Sequence, residues 1–274
     1  MYALKVKVAV VTGAGSGIGR ALAQLLAQKG CRLALADINE ASLKETANAL
    51  SAEVMTQKLD VADRAAVYGF ASTVKQNFGT AHVVINNAGV AVSQTVNDMS
   101  WEDFEWLMGI NFWGVVHGTK AFLPHLKAAG EGHIVNMSSV FGLISIPSQS
   151  AYNAAKFGVR GFTDALRMEL DADDCGVSST TIHPGGIKTN IARNARMDDS
   201  VTAFAGSKEE ARRNFDRIAM TSPEKAARQI LAAVQADRRR ALIGHDAKVI
   251  DLISRLPAGL YQRVIVRGAR RRGR

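Results

Sequence analysis

Tyr152 and Lys156 are the residues of this sequence best suited to exchange a proton with a bound molecule. They stand four residues apart in a segment with a helical pattern, so their side chains are predicted to share one helix face. A tyrosine with an ordinary pKa of about 10 is a weak base at neutral pH, and a neighbouring ammonium lowers that pKa because it stabilises the phenolate. The spacing suggests general acid/base catalysis, and a pair on a solvated helix face is the alternative.

The segment TGAGSGIG at residues 12–19 lies between a predicted buried strand and a predicted helix. Glycines there allow a tight turn and let the backbone approach a pyrophosphate, whose charge the helix N-terminus stabilises. The spacing is G-x-x-x-G-x-G and not G-x-G-x-x-G, and taken alone it is equally compatible with a structural turn. The candidate pyrophosphate contacts are Gly13, Ser16, Gly17, Ile18 and Gly19.

Asp37 stands 18 residues after Gly19, just past the second predicted strand. A carboxylate at this point accepts hydrogen bonds from the adenosine ribose hydroxyls and repels a 2′-phosphate. Ile38 follows it, where a basic residue would favour that phosphate. The spacing therefore predicts NAD rather than NADP as the cofactor, and a helix N-cap is the alternative role of Asp37.

Apolar strand-like runs alternate with helix-like stretches, which is the pattern of βαβ units and a parallel sheet. We expect strands at 6–11, 32–36, up to 59, 83–86, 133–138, 178–183 and 241–243. The predicted fold class is α/β, a single Rossmann-type doubly wound domain with a seven-stranded, mostly parallel sheet flanked by helices. Polar or glycine-containing segments at 86–89, 136–139 and 184–185 then meet at one carboxyl edge, where ligands bind.

No linker divides the chain, so a single dinucleotide-binding and catalytic domain is predicted over residues 1–256. Within it, about 187–222 is expected to form a lid or substrate segment, and 257–274 to form a basic extension. Five arginines and no acid occupy the last eight residues, so the net charge of +9 leaves +4 for the rest. The basic charge belongs largely to this end, and no specific nucleic-acid partner is expected.

The remaining composition excludes several classes of protein. The two cysteines have no metal-ligand spacing, and no metal site is predicted. No apolar run reaches the roughly 18 residues that span a bilayer, and the N-terminus lacks the pattern of a signal peptide. A cytoplasmic protein is expected.

The motifs together resemble the short-chain dehydrogenase/reductase family over about residues 5–245. The resemblance implies reversible hydride transfer between a secondary alcohol, or a ketone or aldehyde, and C4 of a nicotinamide. It also implies that Tyr152 is the general acid/base and that Lys156 binds the nicotinamide ribose and lowers the pKa of the tyrosine. Ser139 would bind the substrate oxygen, with Ser138 as its rival, and Asn111 would hold a water in a proton relay.

The resemblance further implies contacts to the adenine, to the cofactor beside the central sheet and to the nicotinamide carboxamide. These candidate cofactor-binding residues are Asp60, Val61, Asn87, Ala88, Gly89, Pro184, Gly185, Ile187 and Thr189.

Substrate specificity is implied to reside in 91–97, 140–149 and 191–222, which contain several large apolar residues. They are Phe141, Leu143, Ile144, Ile146, Met197, Phe204, Phe215 and Met220. A lipophilic small-molecule alcohol or carbonyl compound is the hypothesis, and packing within the lid is the alternative for these side chains.

The resemblance implies a homodimer or homotetramer that assembles through helices at about 101–126 and 150–170. In the basic extension, Leu260, Tyr261, Val264 and Ile265 share one helical face and arginines follow. This pattern is compatible with a weak peripheral contact to an anionic membrane, a subunit contact or a solvated end. Three other functions stay open: a non-catalytic dinucleotide-binding regulator, an NADP-dependent carbonyl reductase and a nucleic-acid binder acting through the arginines.

Overall fold

The computed structural model describes residues 6–272, and at residues 203, 205, 214, 215, 258 and 269–272 it describes the backbone alone. The first part of the chain forms β1 (Val8–Thr12), α1 (Gly17–Gln28), β2 (Arg32–Asp37), α2 (Glu40–Asn48), β3 (Val54–Lys58), α3 (Arg64–Phe78), β4 (Val83–Asn86) and β5 (Val92–Ser93). The middle forms α4 (Trp101–Met108), α5 (Gly114–Ala129), β6 (Gly132–Met137), α6 (Ser150–Asp173) and β7 (Val177–Pro184). The last part forms β8 (Arg196–Met197), α7 (Thr202–Ala205), α8 (Lys208–Ile218), α9 (Pro223–Gln235), β9 (Arg240–Ile243), α10 (His245–Ser254) and α11 (Ala258–Arg272).

The central sheet has seven strands in the order β3-β2-β1-β4-β6-β7-β9, and every neighbouring pair is parallel. This confirms the predicted doubly wound α/β fold. Because β2 and β3 lie on one side of β1 and the later strands on the other, the strand order reverses between β1 and β4. Ligands of such sheets bind at the carboxyl ends of the strands around this switch point.

Helices cover both faces of the sheet, and the alternation of side chains along each strand supplies both layers. Val11 belongs to the layer that contains α1 and α9, where Leu22 is fully buried. Val10 belongs to the opposite layer, where Phe70 of α3 and Phe122 of α5 meet edge to face with ring centroids 5.9 Å apart. Burial of each such side chain contributes about 1.5–3 kcal/mol, so these layers fix the strands that carry the site.

The segment predicted as one helix within 101–126 consists of α4 and α5, joined by a π-helical turn at Gly109–Trp113. The wider turn aims Asn111 inward, and this residue is fully buried. A second, two-stranded parallel sheet pairs β5 with β8. Strands of two residues are too short to show an alternation of polar and apolar side chains, so they could not be predicted.

Two further helices, α10 and α11, follow the last strand of the sheet. The predicted extension at 257–274 is therefore helical from Ala258 to Arg272, and residues 273 and 274 lie outside the described part. Within residues 6–272, none of the helices combines the length and the apolar character needed to cross a bilayer.

Candidate active site

The first turns of α6 carry Tyr152 and Lys156 against the end of β6. Lys156 is only 4% exposed, and its ammonium donates a hydrogen bond to the Met137 carbonyl with an Nζ–O distance of 2.9 Å. The same Nζ lies 5.5 Å from the centre of the Tyr152 ring. The two side chains face the protein interior, so the alternative of a pair on a solvated helix face does not describe this helix.

Burial shifts the ionisation of both side chains away from their charged forms. It lowers the pKa of the Lys156 ammonium from its ordinary 10.5 to about 8. It raises the pKa of the Tyr152 phenol to about 12, and a hydrogen bond with Ser139 opposes part of that rise. The lysine still holds its proton near neutral pH, but its charge does not bring the pKa of Tyr152 below the ordinary value, contrary to the expectation from the sequence. The phenol therefore requires further positive charge to act as a base.

Ser138 and Ser139 have different partners, which separates the two candidates for the substrate-binding serine. The Ser138 hydroxyl donates to the Lys156 carbonyl at 2.7 Å and so holds α6 in place. The Ser139 hydroxyl accepts from the Phe141 N–H at 3.1 Å and hydrogen-bonds Tyr152. Ser139 is therefore the serine that lies beside the phenol.

His183 is a further residue of this cluster, and it is not among the predicted site residues because a lone histidine in a sequence is more often structural. Its Nδ1 lies 2.8 Å from the Ser139 carbonyl oxygen, and an N–H at Nδ1 donates to that carbonyl. The ring is fully buried, and its Nε2 has no hydrogen-bond partner among the described residues. Burial lowers the pKa of His183 to about 4, so the imidazole is neutral at pH 7.

Asn111 reaches the cluster from the π-helical turn. Its amide nitrogen donates to the Val90 carbonyl and its amide oxygen accepts from the Val90 N–H, both at 2.8 Å. A Cβ added to Gly89 would lie 3.3 Å from Asn111 Oδ1 and 3.9 Å from Lys156 Nζ. The segment after β4 thus passes closely between Asn111 and Lys156, and the four predicted catalytic residues come together.

The glycine turn after β1 is packed closely against the segment that follows β4. A Cβ on Gly13 would lie 2.9 Å from the Ala88 Cα, and one on Gly19 would overlap the Gly13 carbonyl oxygen. The Asn87 side-chain amide donates to the Thr12 carbonyl at 2.9 Å, and the Asn87 backbone N–H donates to Thr12 Oγ1 at 3.0 Å. The glycines therefore leave room for close packing of the backbone, and the same lack of side chains would let a pyrophosphate approach the backbone of the turn.

The N-terminus of α1 begins at this turn. The Ser16 side chain stands at the N-cap but makes no capping hydrogen bond, which leaves the first-turn N–H groups of α1 suited to an anion. Gly17 has a φ of +52°, a conformation that favours glycine, and Ile18 is half-buried beside it. A Cβ on Gly17 would lie 3.1 Å from Thr189 Cγ2, so the loop after β7 meets the same turn.

Asp37 lies at the end of β2, beside the glycine turn. Its carboxylate accepts from the Gly15 N–H at 2.8 Å and from the Asn39 N–H at 2.9 Å. The N-cap of α2 is Asn39, whose side chain accepts from the Ser42 N–H. The alternative role of Asp37 as a helix cap is therefore wrong, and Ile38 is exposed beside it.

The remaining predicted cofactor residues follow β3 and β7. Asp60 is exposed and accepts from the Ala62 N–H at 2.9 Å, while Val61 is buried. After β7, the Gly186 N–H donates to Asp246 Oδ2 at 2.6 Å, and a Cβ on Gly185 would overlap the same carboxylate. Asp246, from α10, shapes this loop and was not predicted, because no motif links it to a glycine 60 residues earlier.

These residues form two groups along the carboxyl edge of the sheet. In the first group, Asp37 ends β2 and Asp60 follows β3. The second group consists of Ser139, which follows β6, and the loop after β7. The glycine turn after β1 lies between the two groups. An extended dinucleotide that crosses the switch point can contact both groups. The arrangement fits a nicotinamide dinucleotide, with its adenosine end near β2 and its reactive end near Tyr152.

Comparisons with known proteins agree with this geometry. The family model for short chain dehydrogenases matches residues 7–200. SadH of Mycobacterium tuberculosis, which is named as an oxidoreductase, is 48% identical over 273 residues, which cover 98% of this chain and 97% of that protein. The chain belongs to the short-chain dehydrogenase/reductase family.

Two solved structures are similar to this chain in fold. A short-chain dehydrogenase/reductase from Burkholderia phymatum in complex with NAD has a TM-score of 0.86 at 32% identity, covering 96% of this chain and 97% of that one. An alcohol dehydrogenase from Thermococcus sibiricus complexed with 5-hydroxy-NADP has a TM-score of 0.68 at 27% identity, covering 84% and 91%. This short-chain dehydrogenase/reductase is thus an oxidoreductase with a dinucleotide cofactor of the NAD or NADP type, and the neighbours alone do not choose between the two.

Proposed function

We propose that the protein interconverts a lipophilic secondary alcohol and its carbonyl compound with NAD, and that Tyr152 is the general acid/base. The observation that supports this most strongly is the convergence of one phenol, one serine hydroxyl and one buried ammonium. Tyr152, Ser139 and Lys156 lie together at the carboxyl edge, next to the glycine turn. A protein that only binds a dinucleotide has no use for this set.

The bound cofactor supplies a hydride acceptor at C4 of its nicotinamide when the alcohol is oxidised. Ser139 holds the substrate oxygen by a hydrogen bond, and Tyr152 accepts the hydroxyl proton as the carbon–hydrogen bond breaks. The ammonium of Lys156 favours the phenolate electrostatically. Asn111 holds a water that returns the proton to solvent, and in carbonyl reduction Tyr152 donates the proton instead.

The preference for NAD rests on Asp37. Its carboxylate stands at the end of β2, where it repels a 2′-phosphate, and the exposed neighbour Ile38 offers that phosphate no charge. Arg20 is the nearby cation, but it donates to the Gly15 carbonyl at 2.5 Å and pairs with Glu45 at 3.3 Å. The competing proposal is an NADP-dependent carbonyl reductase that uses Arg20.

Exchange of the carboxylate tests this preference. We expect Asp37→Ser to lower the ratio of kcat/KM with NAD to kcat/KM with NADP by about tenfold or more, because repulsion of the 2′-phosphate is lost. Asp63→Ser is the matched control, since serine also serves as an N-cap for α3. An unchanged ratio in Asp37→Ser would favour the NADP-dependent alternative.

The proposed lid is the segment 187–222, which contains β8, α7 and α8. Phe141 packs edge to face on Tyr152 with centroids 6.3 Å apart, and Met220 is exposed. These side chains support an apolar substrate site. Leu143 and Ile144 are buried and fit the packing alternative instead, and the side chain of Phe215 lies outside the described part.

The proposal is tested by following absorbance at 340 nm with NAD and then NADP, against secondary alcohols from small polyols to steroid-sized compounds. We expect turnover with NAD, highest for apolar alcohols and absent in Tyr152→Phe. Preference for small charged polyols would contradict the lipophilic substrate. Tight cofactor binding without turnover of any alcohol or ketone would favour the non-catalytic regulator.

We further propose one catalytic domain at residues 1–256, a basic extension at 257–274, and a homodimer or homotetramer that works in the cytoplasm. The helices expected to form the subunit contact are those at about 101–126 and 150–170, which correspond to α4 with α5 and to α6. In support, α6 exposes Met168 to 63% and Phe157 to 39%.

A further inference from the structure

The two C-terminal helices and the bend between them, which contains Leu256, expose large apolar side chains at intervals of three or four residues. Their exposed fractions are 58% for Val249, 68% for Leu252, 45% for Leu256, 50% for Leu260 and 63% for Val264. We call these five residues the C-terminal apolar stripe. Single exposed apolar residues are common on proteins, but a series of this kind marks an interaction surface.

Exposed arginines of α11, Arg263 and Arg267, lie near the C-terminal apolar stripe in the sequence. On α11, Tyr261 and Ile265 are half-buried, Leu260 and Val264 lie next to them in the exposed part, and Arg263 is exposed as well. Residues 257–274 contain six arginines and no aspartate, glutamate or lysine. An amphipathic helix with an apolar face and a basic flank is the form that peripheral membrane helices take.

The acids of α10 do not neutralise this charge. Asp251 is 7% exposed and is paired with both Arg240 at 3.2 Å and Arg255 at 2.8 Å. Asp246 accepts the hydrogen bond from the Gly186 N–H, within the loop after β7. The surface that carries the stripe is therefore basic.

We propose that the C-terminal apolar stripe and its arginines dock the protein on the surface of an anionic lipid bilayer. A bilayer offers an apolar layer and negative headgroups at adjacent depths, which matches the leucines and the arginines together. A second copy of the chain fits less well, because a two-fold contact through α11 would bring arginines of both copies together. Nucleic acid would neutralise the arginines but leave the leucines in water.

The location of the stripe links docking to the proposed lid. α11 packs against α7, a helix of the segment 187–222, and also against α10. Docking through α11 therefore brings the lid close to the lipid surface, where an apolar alcohol partitions. This link alone rests on the proposed function, whereas lipid binding itself does not.

The test measures sedimentation of the full chain with vesicles of phosphatidylcholine, alone or with about three tenths phosphatidylglycerol, at about 0.1 M salt. One variant combines Leu260→Gln with Val264→Gln, and the other combines Arg263→Gln with Arg267→Gln. The control for the apolar variant combines Val6→Gln with Tyr68→Gln, and the control for the arginine variant combines Arg228→Gln with Arg238→Gln. These control residues are also exposed and lie outside α10 and α11. Dehydrogenase activity and the thermal unfolding midpoint show that each variant is folded.

We expect binding to anionic vesicles at least tenfold stronger than binding to neutral vesicles, with the difference largely removed at about 0.5 M salt. Both C-terminal variants should lose that binding, and both controls should keep it while all four retain activity. Equal binding by variants and controls would overturn the proposal. So would a stripe-dependent dimer, seen by light scattering, in a protein that does not sediment with vesicles.

Discussion

Two polar clusters lie at opposite edges of the central sheet, and they differ in how their charges are paired. The carboxyl-edge cluster consists of Asn111, Ser139, Tyr152, Lys156 and His183. The amino-edge cluster consists of His133, Arg167, Asp171 and Asp237, at the starts of β6 and β9 and along α6, and its two carboxylates are partly exposed. Each cluster buries one cationic side chain, Lys156 in the first and Arg167 in the second, so the comparison concerns how a buried charge is paired.

In the amino-edge cluster each charge is matched. Arg167 is 8% exposed, and its two terminal nitrogens each donate to a carboxylate oxygen of Asp237 at 2.8 Å. Its Nε donates to Asp171 at 2.9 Å, and the neutral ring of His133 hydrogen-bonds Thr180 at 2.7 Å. A guanidinium in a bidentate ion pair, with every nitrogen donating a hydrogen bond, contributes to stability and is already committed to partners within the protein.

In the carboxyl-edge cluster, two buried side chains lack part of the pairing that would match their charge or hydrogen-bonding groups. Lys156 forms no ion pair with any described residue and has one carbonyl as its hydrogen-bond partner, and His183 keeps an unbonded Nε2. Burial without a counter-charge lowers the pKa of Lys156 to about 8 and raises that of Tyr152 to about 12. A paired buried charge is the arrangement expected to favour stability, whereas unpaired burial with a shifted pKa is typical of functional sites and is expected to cost some stability.

A cavity is a poorer guide to the site than this contrast. A cavity of about 700 Å³ opens at the amino edge, lined in part by His133, Ser178 and Asp237. Among its polar side chains, Ser178 donates to Asp237 and His133 hydrogen-bonds Thr180, so these groups already have partners within the protein.

The largest effect is expected when the unpaired ammonium is removed. Lys156→Met should lower kcat/KM by about 10²–10⁴-fold, because the phenol loses the charge that favours its ionisation. The free energy of unfolding should not fall, since a buried unpaired charge is removed along with one hydrogen bond. Lys75→Met, at an exposed position of α3, serves as the control for both assays, and a large loss of stability in Lys156→Met would contradict the contrast.

The next largest effect is expected in the way the free energy of unfolding depends on pH. The pKa of Lys156 is about 8 in the folded chain and near 10.5 in the unfolded one. Between these values the unfolded chain binds one more proton, so the unfolding free energy contributed by this residue rises with pH. Relative to Lys156→Met, the wild type should gain about 3 kcal/mol between pH 7.5 and 10.5 in urea titrations. A constant difference across that range would mean that the lysine is not desolvated.

Removal of the paired guanidinium should give the opposite pattern. Arg167→Met should lower the unfolding free energy by about 1–3 kcal/mol, less than for a fully buried pair because Asp237 is half exposed. Its kcat/KM, measured well below the unfolding midpoint, should stay within about threefold of wild type. Arg228→Met, on the exposed face of α9, should change neither quantity measurably.

The smallest effect tests the positioning of Ser139 by His183. His183→Phe removes the donor to the Ser139 carbonyl and should lower kcat by about tenfold with little change in KM. His183→Asn places an amide N–H near the position of Nδ1 and should restore most of that loss. If both variants lose stability equally and neither changes kcat, the histidine has only a packing role.

The sheet could be predicted, and the candidate site residues could be named, because local signals mark them. Buried strands appear as short apolar runs, and the glycine turn and the Tyr152–Lys156 spacing are each contained within a few residues. The π-helical turn around Asn111 has no comparable signature, since its sequence also suits an ordinary helix. Contacts such as Asp246 with Gly186 or Arg167 with Asp237 join positions 60 and 70 residues apart, and they are set by tertiary packing alone.

The role of Tyr152 is tested most directly by comparing cofactor binding and turnover in Tyr152→Phe and Tyr68→Phe, two variants that each remove one phenol hydroxyl. Tyr68 is exposed on α3, away from the carboxyl edge. We expect both variants to bind NAD within about threefold of the wild type, and Tyr152→Phe alone to lose turnover, by about 100-fold or more. Turnover of Tyr152→Phe within about tenfold of wild type would contradict its role as the general acid/base.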